Sequence, residues 1–170
     1  ERRTGLGRLD GPAEKGPVSE EAAMIQIKAV DAENVGEVCK LAATVDGLGP
    51  AKCSAGCNAA AIAQASFHRD MHPNAIYHNH TLLGFFLYQR AESHAETATL
   101  CRFMVDGRFR QKKLEKEALD HVVRGLKIQG VKQIIALLDR ENEREKALFA
   151  ACGFHLTGED NHGAHYQLEC

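Results

Sequence analysis

The chain has 170 residues, of which 44% are apolar and 26% are charged, and its formal net charge is -2. This length suits one domain with a full hydrophobic core, and the composition excludes collagen-like and wholly disordered chains. The small net charge gives no field that would draw in nucleic acid, and the apolar runs are far shorter than a membrane span. We therefore expect a folded domain without nucleic-acid or membrane partners.

The cysteines of the chain indicate in which cellular compartment the protein resides. Six cysteines are present, and Cys39, Cys101 and Cys152 lie within apolar patterns. Reduced cysteines in such patterns behave as small hydrophobic residues. We therefore expect core thiols and a reducing, cytoplasmic environment.

The first part of the chain divides into a tail and the start of a domain. Residues 1–23 are rich in Gly and Pro and carry no periodic apolar pattern, which predicts a flexible tail. The domain, residues 24–170, begins with alternating apolar residues at 24–30, the pattern of a half-buried strand. Asp31 is suited to cap the helix that follows, where apolar residues recur at helical spacing over 35–42.

A helix and three strands are predicted next. The Ala-rich run 58–70 predicts a second helix, which Pro73 closes. Residues 75–77 and 82–88 then predict the two strands of a hairpin. After a polar connection, residues 97–105 predict a further strand.

The second half alternates helices with strands. A long amphipathic helix ends at Gly130 and is followed by the nearly all-apolar run 131–138, typical of a strand covered on both faces. A third clear helix spans about 141–152, and strands follow at 154–157 and 165–168. The apolar face of the long helix comprises Leu114, Ala118, Leu119, Val122, Val123 and Leu126.

This order, β-α-α-β-β-β-α-β-α-β-β, predicts a mixed α/β domain. It contains one β-α-β crossover, whose two strands should be parallel or nearly so. Ligands of open α/β sheets bind beyond the carboxyl ends of such strands. We therefore expect a ligand to bind beyond the carboxyl ends of the two crossover strands.

Two segments of the second half carry a family resemblance. Together with the element order, the sequences CRFMVD at 101–106 and DREN…ALFAACGF within 139–154 resemble the GNAT N-acetyltransferases, in particular the spermidine/spermine acetyltransferase branch. The apolar hairpin over 75–88 supports the likeness, which covers about residues 24–169. It implies a GNAT-like mixed sheet and acetyl transfer from acetyl-CoA to a small-molecule or peptide amine. Members of the family often form homodimers.

The resemblance implies a cofactor site after the strand predicted over residues 97–105. The main chain of Phe103, Met104 and Val105 would pair with the pantetheine arm of acetyl-CoA. The family's phosphate loop, whose backbone N–H groups cradle a diphosphate, falls at the start of the long helix. Its two glycine positions hold Lys113 and Glu115 here, so larger side chains, one of them anionic, occupy the loop. The full loop is Arg110, Gln111, Lys112, Lys113, Leu114 and Glu115.

The last helix differs from the family at one position and agrees at another. Phe149 occupies the position of the usual Tyr acid and has no proton to give, so the catalytic residues are unknown. Asn142 matches the Asn that contacts the cofactor in the family, or is simply a residue of the helix's first turn. An amine substrate needs a base near the strand break. Tyr88, His94 and Glu96 are the candidates, although each also reads as an ordinary polar residue at a strand end.

Two classes of function follow. The first is acetyl transfer to a primary amine, polyamine-like or another small amine, although residues 46–57 keep little of the polyamine branch's pattern. The second is a catalytically impaired GNAT-like binding or interaction module that has lost acetyl-CoA.

A zinc-stabilised domain is a lesser alternative. Cys53 and Cys57 precede His68 and His72 at spacings close to those of two-Cys, two-His zinc sites. On the predicted helix, His68 and His72 are four residues apart and so share a face, which is the geometry a metal needs. Such pairs also arise by chance in a chain with nine histidines.

Overall fold

The structure, a computed structural model, describes residues 24–41 and 57–170. The predicted tail at 1–23, and Cys53 of the zinc hypothesis, lie outside the described residues. The order of elements agrees with the sequence prediction. The strands and helices are β1 Ile25–Ala29, α1 Val35–Lys40, α2 Asn58–Ala65, β2 Met71–His78, β3 Thr81–Gln89, β4 Thr97–Val105, α3 Lys112–Ile128, β5 Gln133–Leu138, α4 Glu143–Ala151, β6 His155–Asp160 and β7 Gly163–Glu169.

These strands form one sheet with the order β1-β2-β3-β4-β5-β7-β6. Only β4 and β5, joined by the crossover helix α3, pair in parallel, as the sequence predicts. All other neighbours are antiparallel. The hairpin of β2 and β3 turns through Asn79 and His80, both with positive φ, as tight hairpin turns require.

The second helix is shorter than its Ala-rich sequence predicts. It ends at Ala65 rather than continuing to residue 70, and β2 begins at Met71. Pro73 lies inside that strand instead of closing a helix, and its carbonyl accepts a hydrogen bond from the Val30 N–H at 3.0 Å. Pairing of β2 with strands on both sides outweighs the local helix propensity of this segment.

The parallel pairing at the centre of the sheet is short. It joins Thr97–Leu100 of β4 to Gln133–Ala136 of β5 and then stops. A shift in the pairing of β3 with β4 leaves Cys101 as an extra residue, since Leu87 faces Arg102 while Tyr88 faces Leu100. Such a bulge bends the strand. The last part of β4 therefore separates from β5 and leaves a gap beside it.

Hydrophobic packing covers both faces of the sheet. A large cluster joins it to the predicted apolar face of α3 and to Phe149 of α4. A smaller cluster, which includes Val38, Ala61 and Phe85, joins it to α1 and α2. Within the described ranges, every helix is too short or too polar to cross a lipid bilayer.

Candidate functional site

A cleft of about 270 Å³ opens where β4 leaves β5, bounded by the starts of α3 and α4. It lies at the carboxyl end of β4, where the sequence places a ligand site. The lining consists of six predicted site residues, Phe103, Met104, Val105, Arg110, Glu115 and Asn142, and four others, Arg102, Arg144, Glu145 and Leu148.

One wall of the cleft is the outer edge of β4. Residues 103–105 pair with residues 84–86 of β3 on one side only, because the pairing with β5 has already ended. Gly84 permits this close approach, since a Cβ there would lie 2.3 Å from the Met104 carbonyl oxygen. The other edge of β4 thus faces the cleft with main-chain groups that an extended ligand can pair with, as an added strand does.

A tight turn connects β4 to the helix α3. The buried Asp106 accepts hydrogen bonds from the backbone N–H and the Nε of Arg108, at 3.0 and 2.8 Å. A short 3-10 turn over Gly107–Phe109 follows, and Gln111 takes the cap position of α3. This turn leads into α3, and Arg110 and Glu115 at the start of that helix line the cleft.

Two loop side chains of α3 lie in different environments. Lys113, at the first glycine position of the family pattern, is exposed and pairs with Glu117 at 3.8 Å. Glu115, at the second, is buried and forms ion pairs with Arg144 at 2.8 Å and Arg110 at 3.6 Å. The anionic side chain is therefore neutralised from within the chain. Of the remaining loop residues, Gln111 is exposed and Leu114 packs partly into the core.

Arg102 is held in place by a buried amide. Its Nε donates to Oδ1 of Asn58 at 2.8 Å, and Nδ2 of Asn58 donates to the carbonyl of Val38 at 3.0 Å. Burial lowers the pKa of Arg102 from its ordinary value. The cleft lining carries three guanidinium groups, those of Arg102, Arg110 and Arg144, and two carboxyl groups, those of Glu115 and Glu145.

Asn142 caps the helix α4. Its Oδ1 accepts a hydrogen bond from the Glu145 N–H at 3.1 Å, and its Nδ2 donates to the Glu145 carboxylate at 3.3 Å. The backbone N–H of Asn142 donates to the Asp139 carbonyl at 3.1 Å, so Asn142 is a side-chain N-cap whose amide also holds the Glu145 carboxylate. Burial, with repulsion from Asp139, raises the pKa of Glu145. Asn142 therefore both lines the cleft and fixes the start of α4.

Phe149 is a core residue, only 1% exposed. Its ring makes edge contacts with Phe103 and Phe154, at centroid distances of 6.2 and 5.0 Å. It supplies packing and no proton at this position. Leu148, the preceding residue, lines the cleft.

None of the three candidate bases lines the cleft, and their role as bases stays a prediction. Glu96 immediately precedes β4 and pairs with Lys132, and at about 3.3 Å per strand residue it lies roughly 20 Å from Arg102. His94 contacts its neighbour Ser93 in a 3-10 turn before the same strand end. The Tyr88 hydroxyl points to Gln129, just after the far end of α3. The pairing of β4 with β5 ends at Leu100, further along β4 than Glu96, whereas Tyr88 lies opposite Leu100 on β3.

The helical geometry of the zinc hypothesis is also wrong. His68 follows the end of α2, whereas His72 lies in β2 and packs on Tyr88 with ring centroids 4.9 Å apart. Cys57 caps α2, its sulfur accepting from the Ala60 N–H at 3.3 Å. Over residues 24–41 and 57–170, no three His, Cys, Asp or Glu side chains group closely enough to hold a metal ion.

The predicted core thiols differ in their surroundings. The prediction of core thiols is wrong for Cys39 and Cys101, which are exposed. Cys152 is partly buried, and this burial raises the pKa of its thiol to about 12. A thiol held protonated in this way is a poor nucleophile.

Sequence reasoning missed Arg102, Arg144, Glu145 and Leu148. A signal for Arg144 and Glu145 was present, since they follow β5 in the same way that Arg110 follows β4. The carboxyl ends of parallel strands share one edge of a sheet. The segments after the two strands therefore had to meet.

Comparisons with known proteins agree with this geometry. The model of the Acetyltransferase (GNAT) family matches residues 52–154, more than half of the chain. No curated protein sequence matches it.

Among solved structures, the chain is similar to PaiA N-acetyltransferase from Thermoplasma acidophilum in complex with coenzyme A, with a TM-score of 0.65 and 18% identity over 86% of this chain and 99% of that chain. It is similar to a Bacillus subtilis acetyltransferase in complex with CoA, with a TM-score of 0.61 and 10% identity over 87% and 99% of the two chains. It is also similar to a chimera of spermidine N-acetyltransferase SpeG from Vibrio cholerae, with a TM-score of 0.63 and 12% identity over 85% and 95%.

The match of the family model spans α2 through α4 and so includes every element that builds the cleft. These structural neighbours have the same fold over almost their whole length. The chain belongs to the GNAT acetyltransferase family.

Proposed function

We propose that the protein binds acetyl-CoA in the cleft beside β4 and transfers its acetyl group to a primary amine. The observation that carries this proposal is the end of the β4–β5 pairing at Leu100 and Ala136. It leaves a strand edge that faces a cleft of about 270 Å³. The family to which the chain belongs supports the same activity.

The residues around the cleft suit an anionic ligand with an extended amide-containing arm. Main-chain groups of residues 103–105 would pair with such an arm, and the N-terminus of α3 with Arg110 and Arg144 would hold phosphates. Acetyl-CoA supplies the activated acetyl thioester. Phe149 gives no proton to the departing thiolate, so water or another group must provide it.

The acceptor is a small-molecule or peptide amine. A polyamine is one member of this class, and a likeness at 12% identity to a spermidine N-acetyltransferase chimera gives it weak support. Because the cleft lining carries more arginine than acidic side chains, it offers a polycation no strong electrostatic attraction.

A second candidate function is a GNAT-like binding module that no longer uses acetyl-CoA. One observation favours it: the Glu115 carboxylate forms ion pairs with the guanidinium groups of both Arg110 and Arg144. Phe149 in place of a hydroxyl-bearing residue is compatible with this function.

Thermal melting with and without acetyl-CoA separates the two functions. A ligand that binds only the folded state raises Tm in a saturable way, by an amount that follows its concentration relative to Kd. We expect such a rise, together with release of free CoA thiol when spermidine, a monoamine or a peptide with a free amino terminus is added. The absence of any shift up to about millimolar acetyl-CoA would contradict the enzyme proposal.

Two leucine variants give a matched control. Leu148→Arg places a large side chain in the cleft and should abolish the acetyl-CoA shift. Leu137→Arg changes a leucine that is 46% exposed and lies outside the cleft lining, so the shift should remain. Each shift is measured against the same variant without ligand, which removes the effect of the substitution on stability.

A further inference from the structure

The first turn of α3 places a carboxylate between two arginines. Glu115 Oε2 lies 2.8 Å from Nη2 of Arg144, and Glu115 Oε1 lies 3.6 Å from Nε of Arg110. Arg110 precedes α3, whereas Arg144 belongs to the first turn of α4. Three separate positions along the chain thus converge on one ion-paired group.

The partners differ in their access to solvent. The Glu115 side chain is 9% exposed, whereas those of Arg110 and Arg144 are 35% and 40% exposed. Burying a carboxylate is unfavourable unless it is paired, and two guanidinium groups provide that pairing. All three side chains line the cleft. Glu115 therefore behaves as an anion bound within the chain's own two-arginine site.

We propose that Glu115 is a tethered competitor for Arg110 and Arg144, which a phosphate-bearing ligand must displace from these two arginines. This inference rests on the proposed function in taking CoA as that ligand. Guanidinium groups suit it because their N–H donors bind phosphate oxygens in paired geometry. The more exposed arginines remain within reach of a ligand while the less exposed carboxylate holds them.

Glu115 should affect the affinity of the cleft for phosphate-bearing ligands but not for uncharged ones. A carboxylate fixed beside a phosphate repels it and competes for the same donors, whereas it leaves the uncharged pantetheine arm unaffected. Glu115 should therefore weaken binding of CoA and inorganic pyrophosphate and leave binding of pantetheine unchanged. This pattern distinguishes competition between Glu115 and phosphate for the two arginines from a steric narrowing of the cleft, which would also weaken pantetheine binding.

The central test is isothermal titration of Glu115→Gln, which keeps the size of the side chain and removes its charge. We expect it to bind CoA at least about tenfold more tightly than the native chain and pantetheine equally. Glu117→Gln is the matched control, because Glu117 lies on the same helix and pairs with the exposed Lys113. It should leave both affinities unchanged.

Arg144 provides an independent arm of the test. In the Glu115→Gln background, Arg144→Gln should remove most of the gain in CoA affinity and again leave pantetheine unaffected. If Glu115→Gln fails to fold, as judged by circular dichroism, Arg144→Gln alone should weaken CoA binding by about tenfold. Unchanged CoA affinity in either arm, or an equal gain for pantetheine, would overturn the inference.

The outcomes for this inference and for the proposed function can be told apart. If the native chain acetylates an amine but Glu115→Gln does not tighten CoA, the function stands and the competitor role of Glu115 is refuted. If Glu115→Gln tightens CoA but no amine in the panel is acetylated by either form, the competitor role of Glu115 stands and the enzyme proposal fails.

Discussion

Glu145 shows how a single side chain in the cleft links local structure to stability. It takes part in the cap of α4, lines the cleft, and has its pKa raised by burial and by Asp139. Its charged form is therefore less favourable in the folded chain than in the unfolded chain. The folded chain binds the Glu145 proton more tightly than the unfolded chain does. The contribution of Glu145 to stability therefore falls as the pH rises from 4.5, its ordinary pKa, through the raised pKa.

We predict that Glu145→Gln stabilises the protein at neutral pH, by an amount of order 1 kcal/mol. Gln keeps an acceptor for the Asn142 amide and removes the charge. The gain should be smallest near about pH 4, below the ordinary pKa of the carboxyl, and should grow as the pH rises through the raised pKa towards about pH 7. Urea unfolding at both pH values measures it. Glu143→Gln, whose side chain is 81% exposed, should show no such gain.

At the scale of one helix, Asn142 combines two roles that substitutions can separate. Loss of a capping side chain destabilises a helix by about 1 kcal/mol, and we expect this loss for Asn142→Ala in denaturant unfolding. Asn142→Ser should keep most of the stability, since a hydroxyl caps comparably well and adds no charge beside the Glu145 carboxylate. Equal stability of the alanine variant and the native chain would contradict the role of Asn142 as a cap.

The pairing of β3 with β4 leads to a prediction for Gly84. A Cβ at this position would lie 2.3 Å from the Met104 carbonyl oxygen, so Gly84→Ala must push the two strands apart. Overpacking of this kind destabilises by about 1 to 3 kcal/mol, which urea unfolding would detect. Because Met104 lines the cleft, CoA affinity should fall as well.

Gly125→Ala is the control substitution, for which we expect an increase in stability and not a decrease. Gly125 lies inside α3, and nothing lies within 4 Å of a Cβ built there. Alanine should therefore stabilise the helix by about 0.5 to 1 kcal/mol. A destabilised Gly125→Ala, or an unaffected Gly84→Ala, would count against the stated packing of these glycines.

At the scale of the whole molecule, the position of the cleft results from the sheet's topology. The single parallel pair, β4 and β5, lies near the middle of the sheet, and the helices α3 and α4 begin just after its two strands. Bending of β4 at Cys101 opens the gap between them. Arg110 and Arg144, which are 34 positions apart in sequence, therefore converge on one carboxylate.

Much of the fold could be predicted because it depends on local patterns. Alternating and helical apolar spacing predicted the order of all eleven strands and helices named above, and the crossover predicted the parallel pair. The errors lie where tertiary contacts overrule local preference. The Ala-rich segment stops at Ala65 because the residues from Met71 onward pair with neighbouring strands.

The same distinction between local patterns and tertiary contacts applies to the candidate site. The sequence by itself determined which segments approach the cleft, since hydrophobic periodicity and strand order depend on residues close together in the chain. Only the tertiary structure decided which side chains meet there: Glu115 turns inward to Arg110 and Arg144, Asn142 caps α4, and Glu96 lies at the far end of β4. The physical reason is that ion pairing and burial depend on distances across elements, which local spacing does not specify.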